Sequence, residues 1–309
     1  MSVLYDVPGP RARRRALIVS IAVGVLLAVA LAALVAFLAA PRINAGGVAQ
    51  PGILDPSRWD VVLDRALWRS VWRGLSATLL MAAVAAVLAL AIGVLLSWAR
   101  MARSPAIRVP ASALVEFFRG MPVLLMMLFI LLVFGSGAFW AGVGALAVYN
   151  GAVIGEALRA GIAGLPRGQR EAGLALGLRV RQVRTVIEYP QAFRQMLPII
   201  IAQLVVLLKD TSLAYIIGYQ ELLNIVLRQG PTTFGATYLF TLFFVVWAVY
   251  LTVNLLLSWV ARIVARHTSA SAGSRRRAAR TARVLAQLGG AGVRGAEHGA
   301  AETGPPAEH

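Results

Sequence analysis

Six runs of apolar residues, near 16–40, 74–98, 109–134, 139–162, 196–217 and 236–264, dominate this chain of 309 residues. About 20 residues of helix cross a hydrocarbon core some 30 Å thick, and every run reaches that length. Inside lipid each backbone N–H and C=O needs an internal partner, which a helix supplies along its own length. The expected fold is therefore all-α and integral to the membrane, with about six transmembrane helices: a leading helix and a five-helix core. Composition supports the class, since charged residues are 14% of the chain against about 25% in ordinary soluble domains.

The boundaries follow from where the runs stop. Residues 1–15 form a basic N-terminal segment, 16–40 the leading helix and 41–73 a connection broken by Pro41, Pro51 and Pro56. Residues 74–265 form the five-helix domain, with a charged loop at 164–196, and 266–309 a basic tail expected to be disordered. The cluster Arg11, Arg13, Arg14 and Arg15 ahead of an apolar run resembles a signal peptide. That run exceeds the usual 7–15 residues and no small-residue cleavage site clearly follows, so a retained anchor is expected.

The net charge of +17 sits at the ends of the apolar runs. Arginines crowd the N-terminus, the 99–108 connection, the 164–194 stretch and the tail, whereas Asp55, Asp60, Asp64 and Glu221 offset the charge in the other connections. Both termini of this multi-pass protein are expected in the cytoplasm on this asymmetry. Membrane lipid, and not nucleic acid, is the partner such charge implies. There is no cysteine, and His267, His298 and His309 all lie in the tail. No catalytic or metal-ligating set is expected, because carboxylates and hydroxyls in no recognisable grouping are all that remain. No convincing internal repeat appears, which counts against a secondary transporter built from two inverted halves.

The most informative stretch is 165–198. Pro166 suits the start of a short helix and Gly177 the left-handed position just past its end. Between them Ala172, Leu174, Ala175 and Leu176 give an apolar surface flanked by Arg167, Arg170 and Glu171. Pro190 and Pro198 then punctuate the return to the membrane. Physical chemistry leaves two readings open: an interfacial helix lying on lipid, or a helix that docks on another protein.

The run Glu171-Ala172-Gly173, with Gly177, Ile187 and Pro190 at fixed spacing, resembles the loop shared by membrane subunits of binding-protein-dependent ABC importers. Gly173 stands where that pattern has Ala, and Tyr189 where it has Leu; the glycine is expected to loosen the helix by up to about 1 kcal/mol. The segments 116–122, 155–161, 166–169 and 209–213 resemble the polar amino-acid permeases of that superfamily, and the likeness covers roughly 70–265. It implies that Glu171, Ala172, Gly173, Gly177, Ile187 and Pro190 couple the chain to an ATPase dimer. A second permease copy or paralogue and an extracytoplasmic amino-acid-binding protein are the other implied partners. The leading helix resembles the glutamate-type permeases.

A separate observation agrees. A P-loop needs glycines ahead of a lysine, and Lys209, the sole lysine, follows Leu207 and Leu208. ATP and Mg²⁺ are thus expected on the partner ATPase, with no cofactor on this chain. The remaining intramembrane charges are candidates for the substrate pathway: Glu156 and Arg159, three apart on one helix face, and Lys209, Asp210, Thr211 and Ser212 in the fifth run. Each set has a structural alternative, an ion pair within the helix bundle. Glu116 and Arg119 share the same spacing, and there the structural reading leads. A secondary transporter or channel without an ATPase is the rival function.

Overall fold

The computed structural model describes residues 9–43, 47 and 49–263. The expected tail, including its histidines, lies outside the described residues. Helices account for nearly all of the structure: α1 Pro10–Ala39, α2 Arg65–Arg100, α3 Pro105–Gly120, α4 Val123–Phe134, α5 Gly137–Ala163, α6 Arg167–Ala175, α7 Val180–Gln182, α8 Tyr189–Asp210, α9 Gly230–Phe234 and a last long helix, α10, within Ala236–Ile263. Five stretches are long and apolar enough to cross a membrane, and the bent pair α3–α4 supplies a sixth if it counts as one span. Two-residue strands, β1 Arg42–Ile43 and β2 Ala49–Gln50, pair antiparallel in the connection after α1.

Two differences from the sequence expectation have clear causes. The third run does not form one straight helix: α3 and α4 meet at 105°. Proline excludes the α conformation from the residue before it, and Met121 is extended at φ −90°, ψ 130° ahead of Pro122. The fifth membrane helix also begins much earlier than expected: one helix runs from Val180 to Tyr215, although its first half carries Arg181, Arg184, Glu188 and Arg194. Pro198 lies inside α8 without ending it, and the arginines of 179–194 fall mainly on its exposed or half-exposed side. The leading helix likewise starts at Pro10, so the basic cluster forms its first turns.

By packing, the described residues fall into two compact units. One takes the stretches up to Ser76 and from Gln220 to Ala248. Within it α1 buries no side chain, leaving its apolar surface free for lipid or a partner helix. Gly52 lies so close to α1 that a Cβ there would come within 1.9 Å of the Ala39 carbonyl. Asp55 accepts from the Ser57 hydroxyl at 2.7 Å and its N–H at 2.9 Å, which hold the carboxyl below its ordinary value. The buried Glu221 accepts from Leu223 and Asn224 N–H groups and so caps the π-helical turn Leu223–Arg228.

The other unit runs from Ala77 to Tyr219 and resumes at Val249. Its centre is α5, which packs against α3, α4 and α8 and buries about half of its length. Small residues permit that intimacy, as they do wherever membrane helices pack closely. A Cβ on Gly93 of α2 would meet Ile154 Cγ2 at 2.8 Å, and one on Gly155 would meet the Gly93 carbonyl at 2.9 Å. Around this contact Met81, Met127, Leu146, Leu158 and Leu207 form a fully buried core.

Candidate coupling loop and polar cavity

The loop after α5 folds as its punctuation demands. α6 ends at Ala175, and Gly177 has φ +79°, the left-handed conformation in which a Cβ is strained. Gly177 N–H donates to the Leu174 carbonyl at 3.0 Å and Leu178 N–H to that of Gly173 at 3.2 Å. These are the two hydrogen bonds of a Schellman turn, and they satisfy carbonyls that the helix end would leave open.

Gly173 has a role that its sequence position does not disclose. It is buried, and a Cβ there would lie 3.0 Å from both Ile187 Cδ1 and Val183 Cγ2. The absent methyl group thus lets α6 seat against the π-helical turn Val183–Glu188, which brings Gly173 and Ile187 together. That turn runs directly into α8, where Pro190 occupies the first turn and needs no N–H partner. Arg184 Nη1 donates to the Met101 carbonyl at 2.7 Å, and Trp98 packs on Tyr189 with ring centroids 5.7 Å apart, so the same turn is tied to the end of α2. Glu171 and Ala172 face solvent on α6, together with Leu174 at 40% and Leu176 at 82% exposure.

Glu156 and Arg159 do pair. The Arg159 guanidinium donates to both Glu156 oxygens, at 2.6 and 2.9 Å, and Arg100 from α2 donates to the same carboxylate. Arg100 also stands 3.7 Å from Glu116, which is 3.7 Å from Arg119. This network bolts α2, α3 and α5 together at one end.

Beside it lies a cavity of about 510 Å³ whose lining includes Glu116, Arg119, Tyr149 and Gln203. Gln203 Nε2 donates to Asn150 Oδ1 at 2.8 Å, and the buried Asn150 donates to the Leu146 carbonyl at 2.7 Å. The Gln203 amide that lines the cavity from α8 is therefore held in place by α5. Tyr149, Asn150 and Gln203 escaped the sequence reading because they are uncharged and in no recurring pattern, so nothing local says that α5 and α8 bring them together. Lys209 and Asp210 sit elsewhere, as the last residues of α8 and not as a mid-helix break. Thr211 Oγ1 donates to the Leu208 carbonyl at 2.6 Å and Ser212 Oγ to that of Lys209 at 2.9 Å, so both hydroxyls serve the helix end. None of the four lines the 510 Å³ cavity.

Membrane-length helices, a short helix locked to one of them and a charged cavity beside them describe a helical membrane protein. Residues 89–270 match the family described as the binding-protein-dependent transport system inner membrane component, and the chain belongs to that family. It is a permease component, one part of a larger transport assembly. Among its relatives, a glutamate transport system permease protein of Corynebacterium glutamicum is 39% identical over 205 residues, covering 63% of this chain and 74% of the relative. A probable glutamine ABC transporter permease of Bacillus subtilis is 33% identical, covering 62% and 90%. A crystal structure of an amino acid ABC transporter with histidines superposes with a TM-score of 0.58 at 30% identity, covering 64% of this chain and 94% of that one. An inward-facing methionine ABC transporter shares the fold, with a TM-score of 0.56 at 21% identity.

Proposed function

We propose that this permease forms the pathway of an ATP-driven importer of a polar amino acid and is moved by a separate ATPase through α6. The observation that carries the reading is the mechanical continuity of the loop. Glu171, Leu174 and Leu176 present a charged and apolar surface, while Gly173 and the Schellman turn seat α6 on the turn that opens α8. A push on that surface reaches a membrane helix without passing through a flexible segment.

Two ATPase subunits holding ATP and Mg²⁺ would dock on α6 and on its counterpart in a second permease copy or paralogue. Both termini would then be cytoplasmic, with an extracytoplasmic binding protein on the opposite face. ATP drives the change only by binding the two conformations with different affinity. Relatives named for glutamate and glutamine support the polar amino-acid class. The 510 Å³ cavity suits a zwitterion, since Glu116 complements an ammonium group and Arg119 a carboxylate.

The test is uptake of a panel of labelled amino acids by proteoliposomes holding the whole complex, comparing the wild type with Glu171→Arg. ATP-dependent uptake of one polar amino acid, lost in the variant along with ATPase association while the permease stays folded, is the expected result. Uptake that needs no ATPase, or survives the substitution, overturns the reading in favour of a secondary transporter.

A further inference from the structure

A second cavity, of about 370 Å³, opens where the coupling loop meets the ends of α2 and α5. Arg100, Arg108, Arg159, Arg167, Arg170 and Arg184 line it, and Glu188 is the carboxylate on its wall. Six guanidiniums set against Glu188, Glu156 and Glu116 leave an excess of three positive charges. Among the described residues, Arg108, Arg167 and Arg170 have no carboxylate within 4.0 Å, and the buried Arg100 Nε has no hydrogen-bond partner. Arg108, Arg167 and Arg170 are exposed to solvent, which screens them in part, but like charges gathered on one concave wall still repel, and an anion entering it relieves all of them together.

We infer that this cavity binds a phosphate group. Guanidinium forks match phosphate oxygens in pairs, and the cavity brings them from α2, α3, α5, α6 and the π turn. Two sources share that chemistry: the headgroup of an anionic lipid, and free phosphate. Trp98, 43% exposed and just before Arg100, has the amphipathic ring that settles at a bilayer surface, within reach of headgroups. Arg184 and Ala102 also line a neighbouring cavity of about 720 Å³ that adds Trp98, Ile107 and Val180, an apolar shelf beside the arginines. A phosphate held here bridges α6 to α2 and α3, and so fixes the coupling helix against the membrane domain. Which leaflet supplies a lipid rests on the orientation proposed above; the phosphate chemistry does not.

The experiment needs neither ATPase nor transport, so it can fail while the importer reading stands. The full-length chain is placed in nanodiscs of phosphatidylcholine with phosphatidylglycerol, and bound lipid is counted by native mass spectrometry. Phosphatidylglycerol retained about tenfold over phosphatidylcholine is expected, with the preference lost in Arg108→Gln with Arg167→Gln and kept in Arg11→Gln with Arg13→Gln. Arg108→Lys with Arg167→Lys guards against misfolding: it keeps both charges but not the forks, and should lower the preference to about threefold. Free phosphate is the source if inorganic phosphate raises the unfolding temperature of the wild type in pure phosphatidylcholine and not that of the glutamine variant. The proposal is overturned if neither ligand binds, or if the glutamine variant binds as the wild type does.

Discussion

The candidate coupling loop and the charged end of the helix bundle hold their shapes by different means. At the loop, backbone conformation and close packing decide: Gly177 in the left-handed region, Gly173 under two aliphatic side chains, carbonyls closed by a Schellman turn. At the bundle end, charge decides: Glu156 gathers Arg159 and Arg100, and Glu116 stands between Arg100 and Arg119 at the cavity wall. Substitutions at the loop should therefore disturb the transmission of movement, and substitutions at the bundle end should disturb stability or substrate affinity. If loop variants changed KM, or bundle variants released the ATPase, this division would fail.

The largest effect on stability is expected at Glu156. Glu156→Gln leaves Arg100, only 11% exposed in its side chain, without the carboxylate it shares with Arg159. Breaking a buried pair by removing one partner costs about 3–5 kcal/mol, and the partial exposure here reduces that to about 2 kcal/mol. The unfolding temperature of the purified permease should drop, while ATPase association in the assembled complex is retained.

Gly177→Val comes next. A branched side chain in the left-handed region costs about 1–2 kcal/mol, and it falls on the turn that ends α6. Maximal uptake by the reconstituted complex should fall at unchanged KM, because relief of the strain displaces the turn that seats α6. A rise in KM with full maximal rate would contradict the mechanical role of the loop.

Gln203→Leu tests the cavity. It leaves Asn150 Oδ1 without its donor, at about 1 kcal/mol, and removes a polar group from the lining. KM for the transported amino acid should rise severalfold with ATPase association intact; an unchanged KM would remove the cavity from the pathway.

Legibility in the sequence followed the same division. Gly177 was readable because a left-handed helix end is a local demand that one residue type meets best. Pro122 holds Met121 extended, but the 105° angle between α3 and α4 depends on what each helix packs against. Pro198 looked like a boundary and is not one, since neighbouring structure accommodates a proline inside α8. Glu116 and Arg119 read most naturally as a pair within one helix. Only tertiary structure brings Tyr149 of α5 and Gln203 of α8 beside them.

The smallest expected effect tests the division most sharply, because at Gly173 propensity and packing oppose each other. Alanine is the better helix former by up to about 1 kcal/mol, so a solvent-facing position would be stabilised by Gly173→Ala. Here the new methyl meets Val183 and Ile187 at 3.0 Å, and overpacking a close contact costs about 1–3 kcal/mol. The net expectation is a loss of about 1 kcal/mol, seen as a lower unfolding temperature and weaker coupling of ATP hydrolysis to uptake. Ile187→Val removes the Cδ1 atom that the methyl group would strike. Introduced together, the two changes should cost less than their sum, and that non-additivity is the signature of direct contact. Additive losses would mean that Gly173 acts through helix flexibility alone, and the seat of α6 on the π turn would no longer explain how the loop reaches α8.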